Sequence, residues 1–186
     1  MQYFLKPMNC PHHHLIYNSR PRSYRELPLR LAEYGTVYRF EQSGEVSGLI
    51  RVRCMAMNDA HIYLRPDQVK DEILHTLKLY KEFYDTFKLN QYTFRLSTHD
   101  PSSEKFKGDS EMWITGEKFL KDTLDEVGLE YFVGGGEAAF YGPKIDIQFR
   151  NIMGREETVS TIQLDYLMPK NFDLTYTDDA GNPQRP

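Results

Sequence analysis

Two extended runs with a polar, glycine-punctuated segment between them constrain this chain most. Residues 28–42 and 49–64 read as extended, with a break at Gly35, and Glu41-Gln-Ser-Gly-Glu-Val-Ser-Gly48 lies between them. That pattern predicts an antiparallel hairpin with a long loop, because glycine and polar side chains let the chain turn in water. Arg39 and Glu41 alternate on one face of the first strand, and Arg51 and Arg53 share a face of the returning one. A planar guanidinium grips phosphate or carboxylate through paired donors. A hairpin that brings Arg39 and Arg51 together makes a polyanion clamp, and Glu41 can accept hydrogen bonds from an exocyclic amine. The same charges also suit a solvated, salt-bridged hairpin, and charge pattern alone leans that way.

The rest of the chain mixes helical and strand periods. Residues 10–20 predict a short helix with Pro11 in its first turn. Pro66 opens a helix over 66–88, where Val69, Ile73, Leu77, Tyr80, Tyr84 and Phe87 recur at helical spacing as a core face. A strand follows at 92–96, then an amphipathic helix at 111–127 and strands at 129–133, 144–150 and 158–165. The polar stretch 175–186 shows no capping element. Hairpin-linked strands with two long helices predict an antiparallel α+β domain. A chain of 186 residues fits one domain, and 40% hydrophobic content is enough for a core. The net charge of −4 argues against a dedicated nucleic-acid coat. Two cysteines make no disulfide framework, and neither a signal peptide nor a membrane-length apolar run is present. The expectation is a soluble cytoplasmic protein with no membrane partner.

Cys10, His12, His13, His14 and His61 are zinc-type donors, and a catalytic zinc takes three protein ligands plus an open position. No C-x2-C pair supports them, so spacing alone says little. Three adjacent histidines cannot all face one way on a helix, so His12–His14 read as surface decoration with one packed ring. Gly134-Gly-Gly-Glu137 and Gly142-Pro-Lys144 can bring backbone close to a ligand, though the spacing is not that of a P-loop.

Six segments in one order are far more specific: Lys6-Pro-Met-Asn-Cys-Pro-His12, Tyr38-Arg-Phe-Glu-Gln-Ser-Gly44, Arg51-Val-Arg53, Asn58-Asp-Ala-His-Ile62, Phe140-Tyr-Gly-Pro-Lys144 and Thr161-Ile-Gln-Leu-Asp165. Together they resemble the catalytic domain of bacterial threonyl-tRNA synthetases across essentially the whole chain. The resemblance implies a class II synthetase-like α+β fold, an antiparallel sheet flanked by helices, with the second-motif hairpin at about 28–64. It implies activation of threonine with ATP and transfer of the product to threonine tRNA, with Mg2+ and Zn2+ as cofactors and a homodimer for the full enzyme. By the same resemblance Arg39 contacts the α-phosphate and the substrate carboxylate. Glu41 lies near the adenine amine, Met55 at the adenine face and Arg51 near the γ-phosphate. Met8, Asp59, Tyr141, Lys144 and Gln163 surround threonine, and Cys10 and His61 are two of three zinc ligands.

Two departures from the family pattern stand out. Cys54-Met55-Ala56 replaces the usual Gly-Phe-Thr, and Met57 a position that is often Gln, so the aromatic that stacks on adenine is absent and weaker adenine binding is implied. The resemblance also implies a chain incomplete at both ends, without motifs 1 and 3 and with the third zinc ligand beyond Pro186. Low or no activity of the isolated chain is then expected, and Cys54, seven residues before His61, is a candidate to fill the vacancy. A non-catalytic module binding threonine, an adenylate or a partner is the alternative.

Overall fold

A computed structural model describes residues 1–186, and the backbone gathers into two compact units. The first unit comprises Met1–Asp67 with Phe172–Pro186, and the second Gln68–Asn171. No helix is long and apolar enough to cross a membrane.

In the first unit, α1 (Cys10–Tyr17) starts with proline in its first turn, where a missing N–H costs nothing. Strands β1 (Leu29–Tyr38) and β2 (Cys54–Tyr63) pair antiparallel from Leu29↔Tyr63 to Tyr38↔Cys54. The hairpin is therefore as expected, but residues 49–53 are not strand. They belong to its tip, where Ser47 bridges Arg51. Gly35 does not break β1; it pairs with Met57 in mid-strand. Its lack of a side chain makes room for the wholly buried Asn9, which a Cβ would strike. Residues 176–177 and 183–184 form a small hairpin, β7–β8, within the polar stretch that showed no capping element in the sequence. Tyr17, Leu27, Tyr63, Leu174 and Tyr176 make the core. His13 and His14 are both buried at 4% exposure, so α1 carries two packed rings rather than the one expected.

In the second unit, Pro66 opens only a short 3-10 turn, and α2 runs Val69–Thr86. Strand β3 (Tyr92–Thr98) leads into α3 (Ser110–Val127), which starts where Asp109 Oδ1 accepts from Met112 N at 2.7 Å. It ends on Gly128 at φ 69°, a left-handed cap that suits glycine. Strands β4 (Tyr131–Gly135), β5 (Lys144–Arg150) and β6 (Glu156–Gln163) complete a sheet ordered β4-β3-β5-β6. The β3–β5 and β5–β6 pairs are antiparallel; β3–β4 is parallel, as a crossover through α3 requires. Alternation gives the sheet two unlike faces. Leu96 and Ile145 pack against Ile73 and Leu77 of α2 and Leu120 and Leu124 of α3. The intervening positions, Arg95, Ser97, Lys144, Asp146 and Gln163, are polar.

The short helix α4 (Met168–Asn171) begins beside Asp165, whose Oδ1 accepts from Leu167 N at 3.0 Å and Met168 N at 2.8 Å. Burial nevertheless pushes the Asp165 carboxyl from its ordinary 3.8 up to about 6. A carboxyl whose folded pKa is raised holds its proton better folded than unfolded. Its ionisation therefore weakens the fold as pH climbs from its ordinary value through about 6. Asp165→Asn keeps the acceptor without the charge. Its stability relative to the parent is expected to rise by up to about 3 kcal/mol between pH 4 and 7. Urea unfolding at stepped pH measures this, and a pH-independent difference rules it out.

Candidate functional site

Parity builds the site in the first unit. Glu33, Gly35, Val37, Met55, Met57, Asp59 and His61 lie on one face of the hairpin, the better-protected one. Residues 6–14 run against that face. Tyr38 N donates to Lys6 O at 2.8 Å, Asn9 Nδ2 to Asp59 Oδ2 at 3.2 Å, and Lys6 Nζ to Glu33 Oε2 at 3.5 Å. These contacts place Cys10 at the start of α1 beside the hairpin. One donor atom each from Cys10, Asp59 and His61 lies within 4.8 Å of the others. Thiol and imidazole are zinc donors, and the neighbouring carboxylate can either join them or accept hydrogen bonds from a ligand bound beside the ion. The residues present fit that ion. Spacing had linked Cys10 to His61 only weakly; the fold joins them and adds Asp59.

The histidine environment is apolar enough to disfavour charge. Burial, then the neighbouring His61 and His13, lowers the His14 pKa to about 4. Burial also lowers that of His61, with Asp59 opposing it. A neutral imidazole keeps the lone pair that a metal needs. Cys54 cannot join this cluster. It is exposed, pairs with Tyr38 and lies on the opposite face of β2 from His61, about 23 Å along the strand.

Beyond β1 and β2 the register continues into the loop. Arg39 N donates to Arg53 O at 2.9 Å, so Arg39 sits across from Arg53 rather than Arg51. Arg51 instead reaches Glu41, at 2.9 Å through Nη2 and 3.0 Å through Nε, and lies 3.6 Å from Glu45. Arg53 Nη2 donates to the Glu41 backbone oxygen at 3.1 Å. The expected pairing of Arg39 with Arg51 thus gives way to an Arg51–Glu41 ion pair, while the Arg39 side chain is exposed with no ion-pair partner. Met55 is half-buried on the protected face opposite Val37, and Met8 is exposed.

The second unit holds the other predicted residues on the polar face of its sheet. Lys144 and Gln163 are direct register partners, and Tyr141 Oη donates to Gln163 Oε1. Gly142 lies where a Cβ would run into the Leu164 carbonyl, so the glycine serves close backbone packing. Gly134 makes room for the Arg95 side chain. Sequence reading missed the hub of this face, Asp146, which is 0% exposed. Its carboxylate receives Lys144 Nζ at 2.7 Å, Arg95 Nη2 at 2.8 Å and Ser97 Oγ at 2.6 Å. Alternation along Lys144-Ile-Asp-Ile-Gln148 was the available signal, since a polar residue two positions from Lys144 shares its face.

Comparison with known proteins bears on the family and the fold. Residues 1–186 match the model of the tRNA synthetase class II core domain (G, H, P, S and T). The chain is 55% identical, over all 186 residues, to a threonine–tRNA ligase of Geobacillus sp. (strain WCH70), of which it spans 29%. It is similar in structure to a crystal structure described as the RNA binding domain of threonyl-tRNA synthetase from Cryptosporidium parvum Iowa II. That match has a TM-score of 0.88 and 38% identity, covering 97% of this chain and 45% of the other. A prolyl-tRNA synthetase from Cryptosporidium parvum shares the fold at a TM-score of 0.64 and 17% identity, over 97% of this chain and 30% of the other.

Proposed function

The chain belongs to the class II tRNA synthetase core-domain family, and from that premise we propose that it is the catalytic core of a threonine–tRNA ligase. It would join threonine to the AMP moiety of ATP with release of pyrophosphate, and then pass the threonyl group to threonine tRNA with release of AMP. The observation that carries the reading is the Cys10–Asp59–His61 cluster, in which α1 meets the hairpin that presents Arg39, Glu41 and Arg51 at its tip. Attack of a carboxylate on the α-phosphorus brings two anions together, so the chain's task is orientation and charge compensation. Arg39, free of ion-pair partners, holds the α-phosphate and the threonine carboxylate. Arg51 meets the γ-phosphate, Glu41 accepts from the adenine amine and Met55 covers the adenine. Mg2+ enters with ATP.

Cys10 and His61 are the residues proposed to hold zinc, and Asp59 to accept a hydrogen bond from the substrate amine. Zinc bound there would coordinate the amine and hydroxyl of threonine. Met8 is proposed to line the amino-acid site, and Tyr141, Lys144 and Gln163 are proposed as threonine-binding residues. A homodimer in the cytoplasm is part of the reading for the whole enzyme.

A site that satisfies a hydroxyl rejects an isostere lacking one, because its polar groups are then left unpaired. Thermal unfolding tests this. In the zinc-loaded protein, threonine is expected to raise Tm and valine at the same concentration to leave it unchanged. Equal shifts, or none with threonine, would overturn the proposed substrate.

A further inference from the structure

His13 is 4% exposed, far too buried for decoration, and both its ring nitrogens are engaged. Its Nδ1 lies 2.8 Å from His61 Nδ1, and its Nε2 lies 3.2 Å from Glu33 Oε1. Lys6 Nζ is 3.5 Å from the other Glu33 oxygen. The rings of His13 and His61 meet edge to face, 4.8 Å apart.

The direction of the His13–His61 hydrogen bond follows from the carboxylate at the other side of His13. Carboxylate oxygens only accept. A ring lone pair 3.2 Å from a carboxylate oxygen would be repelled, so His13 carries its proton on Nε2, which leaves Nδ1 of a neutral His13 as an acceptor. His61 then donates from its own Nδ1, and its lone pair falls on Nε2. We infer that Glu33 and His13 are positioning residues that hold His61 in the Nδ1–H tautomer, leaving Nε2 as its metal-ligating atom. A metal-bound histidine is commonly oriented by an acceptor at its other nitrogen; here that acceptor is a second imidazole, itself oriented by a carboxylate. The inference rests on the zinc reading above for its consequence, but the tautomer is a property of the metal-free protein.

Two measurements test it on the 186-residue protein. Long-range proton–nitrogen correlation spectra of histidine-labelled, metal-free protein should place the His61 proton on Nδ1 and the His13 proton on Nε2. A His61 proton on Nε2 overturns the assignment, whatever becomes of zinc. Chelator competition should then show zinc binding weakened about 10–100-fold in His13→Phe. His13→Asn, whose side-chain oxygen can replace the lost acceptor, should recover part of that loss. Equal losses in the two variants would mean that His13 only fills space. A parent that takes up no zinc removes the zinc reading, and the spectrum still decides the tautomer.

Discussion

Asp146→Ala is expected to destabilise the second unit by about 3–5 kcal/mol, the cost of removing one partner from a buried ion pair. Asp146 is wholly buried, and Lys144 and Arg95 both close on its carboxylate, at 2.7 and 2.8 Å. Their side chains are only 15% and 18% exposed, so water cannot take over for the missing anion. The two cations would then face each other. Glu137, 3.8 Å from Arg95 and 57% exposed, compensates little. Asp146→Asn keeps the volume and one acceptor but loses the charge, and should stay closer to the alanine variant than to the parent. Denaturant unfolding measures both. An alanine variant within about 1 kcal/mol of the parent, the size of an exposed pair, would show that the hub contributes no more than a surface bridge. The functional consequence is local: Asp146 holds the ammonium of Lys144, the register partner of Gln163.

Arg39→Ala should lower threonine-dependent ATP–pyrophosphate exchange by about 10²–10³-fold, the scale for removing one preorganised donor to a reacting oxyanion. Arg51→Ala should cost clearly less. The two arginines have the same formal charge but different surroundings. Glu41 at 2.9 Å and Glu45 at 3.6 Å already offset the charge of Arg51, and a phosphate must compete with both carboxylates for it. The exposed Arg39 has no such competitor, so its full charge is available to the ligand. Equal losses in the two variants would refute this ranking.

Much of the fold was legible because period and punctuation are local properties. The hairpin was readable from its glycine-bearing loop, α3 from its amphipathic spacing and β5 from residues 144–150. The readings that changed involve contacts between segments far apart in sequence. Gly35 resembled a strand breaker, yet its role depends on Asn9 lying over it. The run His12–His14 resembled decoration around one packed ring, yet His13 and His14 are both buried, and His14 Nδ1 lies 2.9 Å from the hydroxyl of Tyr63, 49 residues away. Asp146 drew no notice because its partners Arg95 and Ser97 belong to another strand.

By itself the sequence determined which chemistry is available: the arginine-bearing hairpin, the thiol and imidazole donors and the order of motifs that marks the family. Alternation along β2 already put Asp59 and His61 on one face, because a strand repeats every two residues. Only the tertiary structure decided which groups meet. It turned α1 so that Cys10 approaches that face, gave Arg51 rather than Arg39 to Glu41, and set His13 between His61 and Glu33. Those choices depend on strand register and on which side chains are sealed from water. A shift of one residue would turn the donors of β2 to the opposite face without changing the sequence.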